Sequence, residues 1–268
     1  MSKIKKNIIS LYNILRLPEM LILPGNLAFF LILSLIPTIS LIGIFASSLS
    51  LSTESLISYL STSLPKEVYN ILFSFINSTD LGTTSLLFFV VGFYVSSNGP
   101  DSLITASNIL YKYDNDNYIF RRVKALFMTF FVIILFIFIL IVLAFGSLIL
   151  NKMMSLGTLG KFIATNYLII TVMKFILAFI FIFLIIKIIY TMCSRVKSKY
   201  VNIGSLFSTV AIICVTTVYS FYVNNIAHYN IIYGSLSSLA ILMFLIYLIS
   251  YILVLGIAIN HNYYINCE

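Results

Sequence analysis

From Ala125 to Asn151 the chain carries no formal charge, and most of that stretch is the run FMTFFVIILFIFILIVLAFG. About 20 mainly apolar residues are enough for a helix to cross a bilayer, where every backbone N–H and C=O must be bonded within the segment. Residues 20–53 and 81–100 are likewise uncharged, and a stretch at about 167–192 holds only Lys174 and Lys187. Beyond Lys199 nothing but Glu268 is charged. That tail is too long for one crossing. It is divided by Asn224, Asn225, His228 and Asn230 and by a turn at Tyr233-Gly234-Ser235. Charged residues make up 9% of the chain and apolar ones 61%, against about 25% and about 45–50% in soluble domains. So few charges cannot cover a water-exposed surface, which excludes a soluble domain, a disordered chain and a disulfide-rich scaffold. The sequence predicts an all-α polytopic transmembrane helical bundle. It reads as a single domain over 1–268, with six spans at about 27–50, 83–110, 124–150, 167–192, 203–225 and 235–260.

The net charge of +8 would suggest nucleic acid in a soluble protein, but here the charges lie mainly between the apolar segments. Six spans with both termini cytoplasmic put Lys3, Lys5, Lys6, Arg16, Lys112, Arg121, Arg122, Lys124, Arg195, Lys197 and Lys199 inside. The outer side then receives only Lys66, Lys152 and Lys161, as the positive-inside rule requires. The segment at about 55–76 is apolar enough to compete as a seventh span, but counting it would move the second and third basic clusters outside. It reads instead as outer-face helices. At the N-terminus, Ile4, Ile8, Leu11, Tyr12 and Leu15 recur at helical spacing opposite Lys3, Lys6, Asn13 and Arg16. This is an amphipathic interfacial helix, which Pro18 and Pro24 are expected to break before the first span. With no Trp in the chain, tyrosines such as Tyr111, Tyr113, Tyr118, Tyr190, Tyr200, Tyr263 and Tyr264 are expected to form the interfacial belt.

Polar groups at membrane depth are costly and so point to function. Gly99 and Pro100 should kink or unwind the second span, and Pro37 should kink the first. Asn98, Asp101, Thr105 and Asn108 are spaced to share one face. Two readings of Asp101 fit. In one it lines a polar cleft and meets substrate or a proton. In the other the helix has already reached the cytoplasmic interface, since about 18 residues separate it from Thr83, roughly 27 Å at 1.5 Å each. Lys174 and Lys187 lie near opposite ends of the fourth span and can snorkel to headgroups. The candidate polar path or cavity is Asn98, Asp101, Asn108, Lys174, Asn224 and Asn225. Pro37, Gly99, Pro100, Tyr233, Gly234 and Ser235 are its kinks and turns. No metal-ligand spacing, phosphate-binding loop or Ser/His/Asp set is present, and Cys193, Cys214 and Cys267 imply neither a metal site nor a disulfide framework. No catalytic residue, cofactor or metal is expected.

Three blocks of residues resemble the YihY/virulence factor BrkB family of bacterial polytopic membrane proteins, formerly labelled ribonuclease BN-like. The first is Ala28-Phe29-Phe30 with Ser34-Leu35-Ile36-Pro37. The second is Ser97-Asn98 through Leu103-Ile104, Ala106, Asn108 and Tyr111, followed by Arg121-Arg122 and Lys124. The third is Tyr222-Val223-Asn224-Asn225, Tyr229 and Ile232-Tyr233-Gly234-Ser235-Leu236, ending at Leu255-Gly256. Tyr247, where the family usually has Trp, and Gly99-Pro100-Asp101 depart from the pattern, and the second departure makes Asp101 a poor bearer of a shared mechanism. The resemblance implies a multi-pass protein of the bacterial plasma (inner) membrane. The expected function is transport or export of an amphiphilic or lipid-like molecule, without enzymatic activity. Membrane lipids are the expected partners, together with an amphiphilic substrate, and nucleic acid is not. The alternative is a non-transporting envelope-integrity or membrane assembly factor. A membrane-associated ribonuclease comes third, with only Asp114 and Asp116 to offer on the cytoplasmic loops.

Overall fold

The structure, a computed structural model, describes residue 14 and residues 16–48, 83–113, 117–140, 167–225 and 235–267. The outer-face segment at about 55–76, Tyr233, Gly234 and most of the N-terminal amphipathic helix lie outside the described residues. Within them every regular element is helical: α1 (Glu19–Ser48), α2 (Thr83–Ser96), α3 (Asn98–Tyr111), α4 (Tyr118–Leu140), α5 (Tyr167–Ser194), α6 (Asn202–Asn225) and α7 (Ser235–Ile265), with a 3₁₀ turn at Ser198–Val201 leading into α6. The chain is an all-α membrane bundle. Three stretches among the described residues are long and apolar enough to cross a membrane: Phe175–Ser194, Ser198–Tyr222 and Ala240–Ile265. Large apolar side chains face outward, Leu21 at 80% exposure among them, with Ile22, Phe29, Phe127, Phe130, Phe221 and Phe244. Lipid is the solvent that tolerates such a surface.

α1 starts earlier than the sequence suggested and passes through its prolines. Pro18 stands at the entrance, where a missing N–H is harmless. The first turn is tight, with Met20 N–H on Leu17 O at 3.0 Å and Leu21 N–H on Pro18 O at 3.1 Å. Pro24, expected to break the chain before the span, instead lies within α1, as does Pro37. Each proline removes one helical donor. Ending the helix in an apolar surrounding would strand several backbone groups, so continuation is the smaller loss.

α3 is the hub. It packs against α1, α4, α5 and α7, and Leu103, Ile104, Ala106 and Leu110 join Met20, Leu23 and Leu27 of α1, Met128 of α4, Ile189 of α5 and Ile257 of α7 in one core. Elsewhere, hydroxyls in the bundle bond back to their own helix: Thr129 to Ala125 O, Ser194 to Tyr190 O, Ser205 to Val201 O, Thr209 to Ser205 O and Ser250 to Ile246 O, all at 2.7–2.8 Å. This satisfies them without an interhelical partner.

α6 and α7 approach closely enough for backbone contact. A Cβ on Gly204 would strike the Gly256 carbonyl oxygen, and one on Gly256 would strike Ser208 Oγ and the Tyr190 hydroxyl. Small residues at these positions let the backbones meet. Asn260 Oδ1 accepts the Gly204 N–H at 2.7 Å, so α7 supplies the cap for an otherwise unpaired donor in the first turn of α6. Tyr190, expected in the interfacial belt, is fully buried here, its hydroxyl 2.7 Å from Ser208 Oγ and 2.9 Å from Leu253 O. The phenol found its polar partner inside the protein and so had no need of the headgroup layer.

Candidate functional site

The second apolar stretch is two helices. The backbone ladder stops at Ser97, whose N–H is shared between Phe93 O and Tyr94 O at 3.2 Å, and resumes where Asp101 N–H reaches Ser97 O at 3.0 Å. Pro100 has no donor to give, and Gly99 lets α1 come close: a Cβ there would lie 2.7 Å from Leu31 Cδ2 and 3.3 Å from Ser34 Oγ. A side chain at 99 would have to displace the end of Leu31.

Two arginines from the first turn of α4 close over the break. Arg121 Nε donates to Asp101 Oδ1 at 2.9 Å, in a pair whose side chains remain 22% and 18% exposed. Arg122 is only 9% exposed. Its Nη1 donates to Asn98 Oδ1 and its Nη2 to the Tyr94 carbonyl, each at 2.9 Å, and its guanidinium lies over the Tyr94 ring at 3.9 Å. The Tyr94 carbonyl also takes the Ser97 hydroxyl at 2.7 Å. A backbone oxygen freed by the break is thus held by a hydroxyl and a buried cation. The Tyr118 phenol shares a hydrogen bond with Tyr94 at 3.3 Å, and chiefly for that reason its pKa is raised above the ordinary phenol value.

Burial divides the expected face. Asn98, Asp101 and Thr105 do lie on the accessible stripe of α3, and the Thr105 hydroxyl bonds Asp101 O at 2.9 Å. Asn108, seven residues on, is nearly in line with Asp101 but is buried by the neighbouring helices, and the accessible positions continue instead with Ile109 and Lys112. On the buried side, Ser102 Oγ, Ser107 Oγ, Asn108 Oδ1 and, just before the break, Ser96 Oγ have no hydrogen-bond partner among the described residues; neither has Arg122 Nε.

The six candidate residues are not gathered in one place. Met128 Sδ lies 3.9 Å from Cys193 Sγ, and the Phe138 and Phe181 rings stack at 3.6 Å, so α4 and α5 run antiparallel. The Tyr113 hydroxyl reaches Ser194 O at 2.8 Å, and Tyr111 packs on His261 and Tyr264, which in turn meets Tyr200. Asn98, Asp101 and Asn108 therefore belong to one end of the bundle, with Lys112, Arg121, Arg122, Lys124, Arg195, Lys197 and Lys199. The backbone of Lys174 lies about 30 Å along α5 from Ser194, and Asn224 about 33 Å along α6 from Asn202, at 1.5 Å per residue. With Asn225 they stand at the opposite end; their side chains, like those of Pro37 and Ser235, are outside the description. Asp101 shares its end with the basic cluster, which favours its interfacial reading over a cleft at mid-membrane.

Arg122, Tyr94 and the open hydroxyls of α3 escaped the sequence reading, as did Asn260. Arg121 and Arg122 read there only as cytoplasmic anchors. No local periodicity links position 98 to position 122, so their pairing had no signal in one chain.

Among the described residues no three His, Cys, Asp or Glu stand together, and Cys193 is buried while Cys214 and Cys267 are exposed. A bundle of apolar helices around a broken, polar central helix defines an integral membrane protein. A family model described as virulence factor BrkB matches residues 19–266, and the chain belongs to that family. It is similar to a ribonuclease-like protein, YfkH, of Bacillus subtilis (strain 168), with 25% identity over 246 residues covering 88% of this chain and 87% of the relative. No solved structure matches it.

Proposed function

We propose that this protein moves or exports an amphiphilic or lipid-like molecule, as a six-span, multi-pass protein of the bacterial inner membrane with both termini cytoplasmic. The observation that carries the reading is the central broken helix with its open polar groups. Leaving a buried polar group unpaired costs about 1–3 kcal/mol. Ser96 Oγ and Arg122 Nε beside the break, and Ser102 Oγ, Ser107 Oγ and Asn108 Oδ1 along α3 after it, have no partner among the described residues. Discontinuous helices with unpaired polar groups are how transporters build sites for polar or ionic groups. An amphiphile brings a polar head for these groups and a tail for the apolar walls.

Purified protein in liposomes, with a fluorescent headgroup-exposed phospholipid as probe, should accelerate its movement between leaflets. Asn108→Leu should slow that movement about tenfold or more while leaving folding intact, because replacing an unpaired buried polar group by an apolar one is near neutral for stability. No acceleration with phosphatidylcholine, phosphatidylethanolamine, phosphatidylglycerol or single-chain amphiphiles would overturn the reading.

The ribonuclease-like name of YfkH sets a second arm of the test. We read this chain as non-enzymatic, and RNA incubated with the rigorously purified protein should stay whole. Cleavage lost on Asp114→Asn with Asp116→Asn would reverse that reading.

A further inference from the structure

At the basic end of the bundle, a groove of about 270 Å³ opens between the last turns of α5 and the 3₁₀ turn, lined by Leu184, Lys187, Ile188, Thr191, Met192 and Ser198. Lys187 is half-buried in it, and no described carboxylate pairs with its ammonium. The Thr191 hydroxyl is turned to Lys187 O at 2.7 Å and does not compete for that charge. Below the groove, Met173, Leu177, Ile180 and Leu184 stand exposed at successive steps of four, three and four residues, a single face of α5 that leads straight to Lys187. Their stripe is about 16 Å long, close to the roughly 15 Å of hydrocarbon in one leaflet. Arg195, Lys197 and Lys199 follow just past the helix end, all exposed.

We infer that this groove seats one anionic phospholipid of the leaflet at the basic end. Its phosphate meets the Lys187 ammonium and the Ser198 hydroxyl, and one acyl chain lies along Leu184, Ile180, Leu177 and Met173. The commitment to an anionic lipid rests on charge: a cation with no carboxylate partner among the described residues, flanked by further cations, at the head of a track of one-leaflet length. Basic pockets at helix ends take such headgroups. A zwitterionic lipid would bring a second ammonium into the same basic surface. The inference does not depend on transport, because occupancy of the groove is read without any flux.

The chain contains no Trp, so Leu184→Trp makes the groove the only indole reporter. The protein is reconstituted in phosphatidylcholine vesicles containing equal mole fractions of brominated phosphatidylglycerol or brominated phosphatidylcholine, and quenching is measured. Brominated phosphatidylglycerol should associate about fivefold more strongly at low salt, with the preference shrinking as salt rises. In the same background Lys187→Gln should bring the two lipids to parity, and Lys187→Arg should keep the preference, which guards against a folding defect. Phe244→Trp, exposed on α7, should report parity throughout. Parity at Leu184→Trp, a preference unchanged by Lys187→Gln, or an equal preference at Phe244→Trp would overturn the site.

Discussion

At the scale of single residues, adjacent arginines do different work. Arg121 joins Asp101 in a pair that water still reaches, and such pairs contribute about 0–1 kcal/mol. Arg122 is nearly enclosed, holds the side chain of Asn98 and the carbonyl of Tyr94, and covers the Tyr94 ring. Its removal takes a charged donor from the part-buried Asn98 side chain and Tyr94 carbonyl and empties a nearly enclosed site beside the break. Arg122→Leu should therefore lower stability by about 2–4 kcal/mol, and Arg121→Leu by less than about 1 kcal/mol. Arg122→Lys should fall between them, keeping the charge but losing the fork that serves two acceptors. Denaturant or thermal unfolding in detergent, followed by helical circular dichroism, measures the order. Equal losses for the two leucine variants would show that burial does not separate these residues. The sequence made Asn98 and Asp101 visible through their cost at membrane depth, yet it could not show that both are answered by α4. That pairing depends on a tertiary approach across more than twenty positions, whereas helical spacing reports only the next turn.

At the scale of elements, prolines and glycines divide according to what surrounds them. Pro24 and Pro37 sit inside a continuous α1, while Gly99 and Pro100 stand at a real interruption. The difference lies in the partners: the interruption has Arg122 and Ser97 to take the freed Tyr94 carbonyl. Proline alone therefore did not locate the break, and the polar run Ser96-Ser97-Asn98 beside it did. The helical elements were legible because runs of apolar residues this long permit no other backbone in lipid. The Gly204/Ser208 spacing was visible too, but its partners Gly256 and Asn260 were not, since four-residue pairs of small residues occur on many faces. The contact can be tested as a unit. Gly256→Ala should cost about 1–3 kcal/mol by overpacking against Ser208 and Tyr190. Adding Ser208→Ala removes the nearest obstacle, so the double variant should be more stable than Gly256→Ala alone. Gly204→Ala should not be rescued by Ser208→Ala, because what it meets first is the backbone of Gly256. Unfolding of these four variants and of Ser208→Ala alone gives the coupling; simple additivity for Gly256 and Ser208 would place their closest approach elsewhere.

At the scale of the whole molecule, charge and aromatic rings agree on an axis. The described basic side chains of the α3–α4 and α5–α6 connections lie at the end where Tyr111, Tyr200, Tyr263 and Tyr264 cluster, and Asp101 there is paired with Arg121. The far end, marked by the backbones of Lys174, Asn224 and Asn225, has no comparable charge among the described residues. A membrane sorts two such ends by the positive-inside rule, and the proposed topology places the basic end in the cytoplasm. The exposed thiol of Cys267, just past α7, is a reporter placed by nature at that end. A charged, membrane-impermeant maleimide should label Cys267 in inverted vesicles and leave it unmodified in intact spheroplasts. Cys193 is buried and Cys214 lies within α6, so Cys193→Ser with Cys214→Ser gives a clean background. In that background with Cys267→Ser added, a cysteine at Lys152 should show the opposite pattern, labelled from outside only. The same experiment settles the count of crossings. If residues 55–76 made a seventh span after a cytoplasmic N-terminus, Cys267 would be modified in spheroplasts and the cysteine at position 152 protected. The second and third basic clusters would then sit on the outer surface, against the field that orients every other feature of the bundle.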